Sequence, residues 1–146
     1  MSCVGAPAKE LRTIGQIVIT NGLTFHAGQN GLSIAMELLS THTAGAPVVD
    51  DNGKYIGFIN EHDLIKALEM GKELGKMAAE DLMQLGPIAV HESTTIADAA
   101  KRMEELCVLN LPVENDGKVA YSVSRHDLLR AWITGRGDGT PAVESQ

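Results

Sequence analysis

The sequence is poor in aromatic residues: two Phe, two Tyr and one Trp make up 3% of the chain. Any core must therefore be assembled from Leu, Ile, Val, Ala and Met. Cysteine is equally scarce, and Cys3 and Cys107 alone make no disulfide framework. Cys107 continues an apolar helical stripe, which predicts a buried structural thiol, while Cys3 is read as inert. No apolar run approaches the roughly 20 residues that span a bilayer, so no membrane partner is expected. The opening Met1-Ser2-Cys3-Val4-Gly5-Ala6-Pro7 lacks a charged start and a long apolar stretch, and a cytoplasmic address follows by default. Basic residues are neither abundant nor clustered: 12 Lys and Arg stand against 19 Asp and Glu, for a net charge of −7. Duplex nucleic acid is thereby excluded as a partner, because backbone binding needs a concentrated basic face. A small anion needs only a few local donors and stays open.

Catalytic signatures are missing too. The chain has no nucleophile elbow, Walker loop or dinucleotide fingerprint, and Gly28 to Gly31 reads as a turn entering a helix. The doublets His62-Asp63 and His126-Asp127 resemble metal-ligating pairs of phosphohydrolases. Adjacent helical residues point about 100° apart, however, so one doublet seldom gives two ligands to one ion. His26, His42 and His91 fall at loop or helix-end positions. No catalytic residue, metal or cofactor is assigned.

What the chain does contain is 44% hydrophobic residues over 146 positions, enough for a core without disulfide or metal staples. It also contains a repeat. At an offset of 65 residues, Leu23-Thr24-Phe25-His26 lies on Ile88-Ala89-Val90-His91, and Ala46-Pro47-Val48 on Leu111-Pro112-Val113. Between them Ile34-Ala35 matches Ala99-Ala100, and Leu38 matches Met103. After a one-residue loss, Gly53-Lys54 matches Gly117-Lys118, and Asn60-Glu61-His62-Asp63-Leu64 matches Ser124-Arg125-His126-Asp127-Leu128. Matches in order with a single gap at a turn mark a duplication.

Each copy reads as β-α-β-β-α. A short strand (Leu23 to Phe25; Ile88 to Val90) precedes a helix whose core face is Ile34, Ala35, Leu38 and Leu39, or Ile96, Ala99, Ala100, Met103, Leu106 and Cys107. A strand then opens on Pro47 or Pro112 and turns at Asn52-Gly53 or Asp116-Gly117, dipeptides that accept positive φ. The return strand (Tyr55 to Ile59; Val119 to Val123) runs into a helix carrying Leu64, Ile65 and Leu68, or Leu128, Leu129 and Trp132. The predicted class is α/β of the α+β kind, two units packed sheet to sheet with pseudo-twofold symmetry. The divisions are a flanking segment 1–16 with a helix from Ala8 to about Ile14, a unit 17–70, a linker 71–81, a unit 82–134 and a frayed tail 135–146. Ala78 to Met83 is predicted to form a helical turn.

Two motifs carry a family resemblance. Ala46-Pro47-Val48-Val49-Asp50, Gly53-Lys54 and Gly57-Phe58-Ile59-Asn60-Glu61-His62-Asp63-Leu64 resemble the cystathionine-β-synthase (CBS) domain. Leu111-Pro112-Val113, Asp116-Gly117-Lys118 and Ser124-Arg125-His126-Asp127-Leu128-Leu129 resemble it again, and the likeness spans about 17–134. The resemblance implies a tandem pair, or Bateman module: a regulatory unit that binds an adenine nucleotide (AMP, ADP, ATP) between its motifs. It further implies a homodimer acting on an enzyme or transporter partner. The family's ribose-binding position falls on Asp63 and Asp127, in the steps Asn60-to-Asp63 and Ser124-to-Asp127. Its base cleft is walled by backbone at Gly45-Ala46 and Asn110-Leu111, with further walls from the strand ends at Thr24-Phe25 and Ala89-Val90, and His62 beside the first step. Arg125 stands where forked donors reach a phosphate. Glu61 occupies the matching place in the first copy, and Gly57 is matched by the bulkier Tyr121.

Two alternatives stay open at this level. Ser124-x-x-Asp127 also reads as a helix capping box, and Thr95-Ile96-Ala97-Asp98 has the same form at a helix start with no ligand assigned. A ligand-free interaction module is the second, with Met70, Trp132 and Ile133 feeding a dimer face or Trp132 capping the core.

Overall fold

The protein is described by a computed structural model covering residues 12–19, 22–85 and 89–134. The first motif holds β1 (Phe25–His26), α1 (Gly31–Thr41), β2 (Gly45–Val49), β3 (Tyr55–Asn60) and α2 (Glu61–Glu69). A one-turn helix, α3 (Ala79–Leu82), follows in the connection. The second motif repeats the order with β4 (Val90–His91), α4 (Ile96–Leu106), β5 (Asn110–Asn115), β6 (Lys118–Ser124) and α5 (Arg125–Thr134). Each motif has a three-stranded sheet with its middle strand parallel to the first and antiparallel to the third. β2 lies against β5 and β6, joining the motifs sheet to sheet. Most of the predicted helix from Ala8 to about Ile14 lies outside the described residues; its end is not helical, since Thr13 is extended and bridges Thr95 before a single 3-10 turn at Ile14–Gln16. The tail from Gly135, Cys3 and Ile88 also lie outside the described residues.

Local chemistry explains the elements. Asn30 caps α1 by accepting the Leu32 and Ser33 N–H groups, and Thr95 caps α4 by accepting that of Asp98. The strands begin two residues before the prolines rather than on them. The Glu61 N–H bonds the Ala44 carbonyl, which makes Pro47–Phe58 a non-hydrogen-bonded pair. The missing Pro47 donor thus faces away from β3, on the side where β1 begins only opposite Val48. The hairpins differ. Asp116 and Gly117 both take positive φ (55° and 79°) in a two-residue turn, whereas in the first motif Gly53 alone does (81°). There the Asp50 carboxylate organises the loop by accepting the Asn52 and Lys54 N–H groups, and the Lys54 bond above all holds it below the usual carboxylate range.

The two apolar cores are completed crosswise. Ile14 and Ile17, which precede the first motif, belong to the core of the second, with Ile96, Met103, Leu111 and Val123. Leu74, Ala79 and Leu82, which precede the second motif, belong to the core of the first, with Phe25, Ile34 and Val48. The hydrogen bonds obey the same offset of 65 residues. The Ile14, Gly15 and Ile96 N–H groups donate to the carbonyls of Thr94, Glu92 and Arg12, and those of Ala79, Glu80 and Gly31 donate to Gln29, Ala27 and Met77. Residues 71–81 therefore form no passive linker.

Three core assignments change. Leu39 is 69% exposed and Leu106 is 42% exposed. Cys107, predicted to be buried, is an exposed free thiol at the end of α4, where the chain turns left-handed and carries the side chain off the core face. Trp132 packs against the second core and also lines a groove between α4 and α5.

Burial also governs the two tyrosines. Tyr55 is pushed up to about 12 by desolvation, and Tyr121 to about 12 by desolvation and its hydrogen bond to Glu92 (3.0 Å). Unfolded phenols ionise near pH 10. Between about 10 and 12 the folded state holds more protons, so this contribution to stability is complete below pH 10 and declines as pH rises through that window. Phenolate absorbance of the folded protein is expected to rise with its midpoint near pH 12, against a midpoint near 10 in denaturant. A folded-state rise near 10 would contradict the packing of both rings.

Candidate functional site

Two clefts lie at repeat-related positions between the motifs. In each, the chain leaving the first helix of one motif faces the N-terminus of the second helix of the other. Cleft A, about 570 Å³, sets Asn60, Glu61, His62 and Asp63 against Leu106 to Asn110. Cleft B, about 700 Å³, sets Ser124, Arg125 and His126 against Thr41 to Ala44. Both volumes suit a mononucleotide-sized ligand. The helix exits are His42 and Cys107, offset by 65, each left-handed at φ 54° and 57°. A non-glycine residue in that region costs roughly 1–2 kcal/mol, and its recurrence at one position of both motifs aims the following chain into the cleft. In the sequence neither residue signals such a turn, since neither is glycine, and His42, Thr41, Thr43, Ala44, Leu109 and Gln84 were missed as cleft residues.

The predicted site residues divide. Asn60, His62 and Asp63 line cleft A, Ser124 and Arg125 line cleft B, and Asn110 borders both. Leu111, Ala46 and Phe25 have no exposed surface and Val90 almost none; their side chains fill the cores and line neither cleft. Gly45 is buried as well, where an added Cβ would lie 2.7 Å from the Ile59 carbonyl oxygen. It serves the close approach of β2 and β3.

Both aspartates sit in reciprocal caps. An Asp127 carboxylate oxygen accepts the Ser124 N–H (3.0 Å), the Ser124 hydroxyl accepts the Asp127 N–H (3.1 Å), and Arg130 pairs with the other carboxylate oxygen (3.2 Å). Asp63 does the same with Asn60, both bonds at 2.9 Å, and its second oxygen accepts from the Gln84 amide. Asp127 is fully buried, whereas Asp63 retains 6% exposure at the wall of cleft A. Within each doublet the side chains diverge, with exposed His62 and His126 beside buried Asp63 and Asp127. Among the described residues, no cluster of three His, Cys, Asp or Glu is placed to hold a metal ion.

The contrast of Gly57 with Tyr121 proves to concern packing. A Cβ on Gly57 would meet the Met83 sulfur at 2.5 Å and the Gln84 carbonyl oxygen at 2.9 Å. Gln84 bonds Phe58 in both directions (2.9 and 3.0 Å), so the missing side chain admits the connection onto β3. Tyr121 packs on the second core instead, and neither residue lines a cleft.

The CBS domain family model matches residues 14–70 and again 79–134. The chain is similar to the chloroplastic CBS domain-containing protein CBSX1 of Arabidopsis thaliana, with 27% identity over 90% of this chain and 68% of that one. It is also similar to an uncharacterized protein of Methanopyrus kandleri, with 27% identity over 81% of this chain but only 61% of the relative. Among solved structures, CBSX2 of Arabidopsis thaliana in complex with AMP superposes with a TM-score of 0.69 at 28% identity, covering 82% of this chain and 95% of that one. A CBS domain pair in complex with 5′-methylthioadenosine and S-adenosyl-L-methionine superposes with a TM-score of 0.71 at 26% identity, covering 82% and 94%. No helix among the described residues is long and apolar enough to cross a membrane.

Proposed function

The chain belongs to the CBS domain family, and from that premise we propose that it is a regulatory module binding an adenine nucleotide between its motifs. The observation that carries this reading is the pair of repeat-related clefts, each bounded by a helix N-terminus whose positive dipole end favours an anion. Cleft B adds Arg125, whose forked donors suit a phosphate. The AMP bound to CBSX2 and the adenosyl compounds bound to the other CBS pair support the ligand class. In this reading the module works in the cytoplasm, performs no catalysis itself and reports occupancy to an enzyme or transporter partner.

A homodimer fits the apolar surface. Leu32, Met36 and Leu39 follow one another at helical spacing on the open side of α1, Ile65 and Leu68 on α2, and Leu129 and Ile133 on α5. Ligand would alter dimer geometry only by preferring one arrangement over another.

Isothermal titration with AMP, ADP, ATP and S-adenosylmethionine tests the proposal, with light scattering reporting assembly. Saturable heat from at least one compound is expected from a dimeric protein. Silence from all four at millimolar concentration leaves the alternative of a ligand-free interaction module.

A further inference from the structure

The repeat equates the two clefts in backbone but not in charge. Cleft A is lined by the carboxylates of Glu61 and Asp63, with no Lys or Arg, and its far wall is apolar through Leu106, Val108 and Leu109. Cleft B is lined by Arg125, His42 and His126, with no carboxylate, and its far wall includes Thr41 and Thr43, whose hydroxyls donate to the Glu37 and Thr41 carbonyls. The reversal centres on one pair: Glu61 and Arg125 both open their helices, at matching positions of the repeat. Both are exposed, so their charges act on the clefts rather than on the cores.

We infer that the clefts are selective by charge: cleft B takes phosphorylated adenosyl ligands, and cleft A takes neutral or cationic ones such as a thioether or sulfonium adenosyl compound. This rests on the adenosyl reading above and assigns a ligand class to each cleft. A phosphate in cleft B gains a guanidinium at a helix N-terminus, where the helix dipole also favours an anion. In cleft A the same phosphate meets two carboxylates beside an apolar wall, and a low-dielectric surface strengthens that repulsion. A methylthio group finds the apolar wall, and a sulfonium gains the carboxylates. Two chemically distinct adenosyl compounds can then occupy one chain together.

Titration of the full chain with AMP and with 5′-methylthioadenosine, singly and in sequence, tests this. One AMP per chain is expected, and saturating AMP should leave methylthioadenosine binding intact. Arg125→Glu is expected to weaken AMP at least ~10-fold, the scale of a charge-assisted hydrogen bond lost, while leaving methylthioadenosine within about twofold. Glu61→Arg is expected to raise AMP stoichiometry from one to two, with Glu61→Gln intermediate in affinity. Circular dichroism verifies the fold of each variant. AMP filling both clefts of the unaltered chain, or competing with methylthioadenosine for one place, overturns the inference and leaves the adenosyl reading standing. Absence of binding by any adenosyl compound overturns both.

Discussion

Asp127→Ala is expected to destabilise the protein by about 3 kcal/mol, as a sum of cap and buried-pair losses. The carboxylate is fully buried and holds the Ser124 N–H at the start of α5 and the Arg130 guanidinium. Removing a capping side chain alone costs about 1 kcal/mol. Leaving Arg130, whose side chain is only 23% exposed, without its anion adds about 1–3 kcal/mol, softened by its remaining bond to the Val18 carbonyl. Asp127→Asn keeps an acceptor for the Ser124 N–H and loses the charge, so roughly half the effect is expected. Urea titration reads both as a lower midpoint at unchanged slope. A loss under about 0.5 kcal/mol for the alanine variant would show that the cap carries little energy.

This has a consequence for ligand studies. Weaker nucleotide binding by Asp127→Ala mixes ribose contact with a damaged helix start. The cleaner probe changes the ligand: adenosine compared with 2′,3′-dideoxyadenosine on the unaltered protein. Equal affinity would remove both aspartates from ribose recognition without disturbing either cap.

The fold was legible because duplication supplies its own control. Single matches such as Phe25 with Val90 say little, but their order across a turn with one deletion constrains two copies at once. Helix faces were less legible. Leu39 and Leu106 continue the three-and-four spacing of Ile34 and Met103, yet lie on the open side; an 11-residue helix has too few turns to separate a core stripe from a second apolar stripe facing elsewhere. The clefts were half legible. The helix starts at Asn60 and Ser124 carry polar motifs with a capping rationale, whereas the opposing walls depend on the left-handed turns at His42 and Cys107, which no glycine announces. The resemblance points to the backbone and strand ends at Phe25, Ala46, Val90 and Leu111, and the side chains of these four residues pack in the cores.

The part of the repeat least visible in sequence carries the other large prediction. Arg12 to Ile17 share almost no residues with Met77 to Leu82, yet their backbones make the same three bonds at the same offset. Ile14 is fully buried among second-motif residues although it lies next to the first in the chain. Ile14→Ala is therefore expected to cost about 3 kcal/mol, the middle of the range for a buried Ile truncated to Ala, and to lower the melting temperature by on the order of 10 °C. Hydrogen exchange gives the sharper test. Protection should fall first in α4, β5, β6 and α5, on the far side of the molecule in sequence, while β1, α1 and β2 keep theirs longer. Leu82→Ala, in the reciprocal segment, should invert the order and loosen the first motif. If Ile14→Ala loosened the first motif instead, or Leu82→Ala the second, the crosswise cores would be wrong. If both motifs lost protection together in each variant, the motifs would form one cooperative unit. In that case a ligand in either cleft would stabilise both halves equally, and occupancy of one cleft would be felt at the other through the shared sheets.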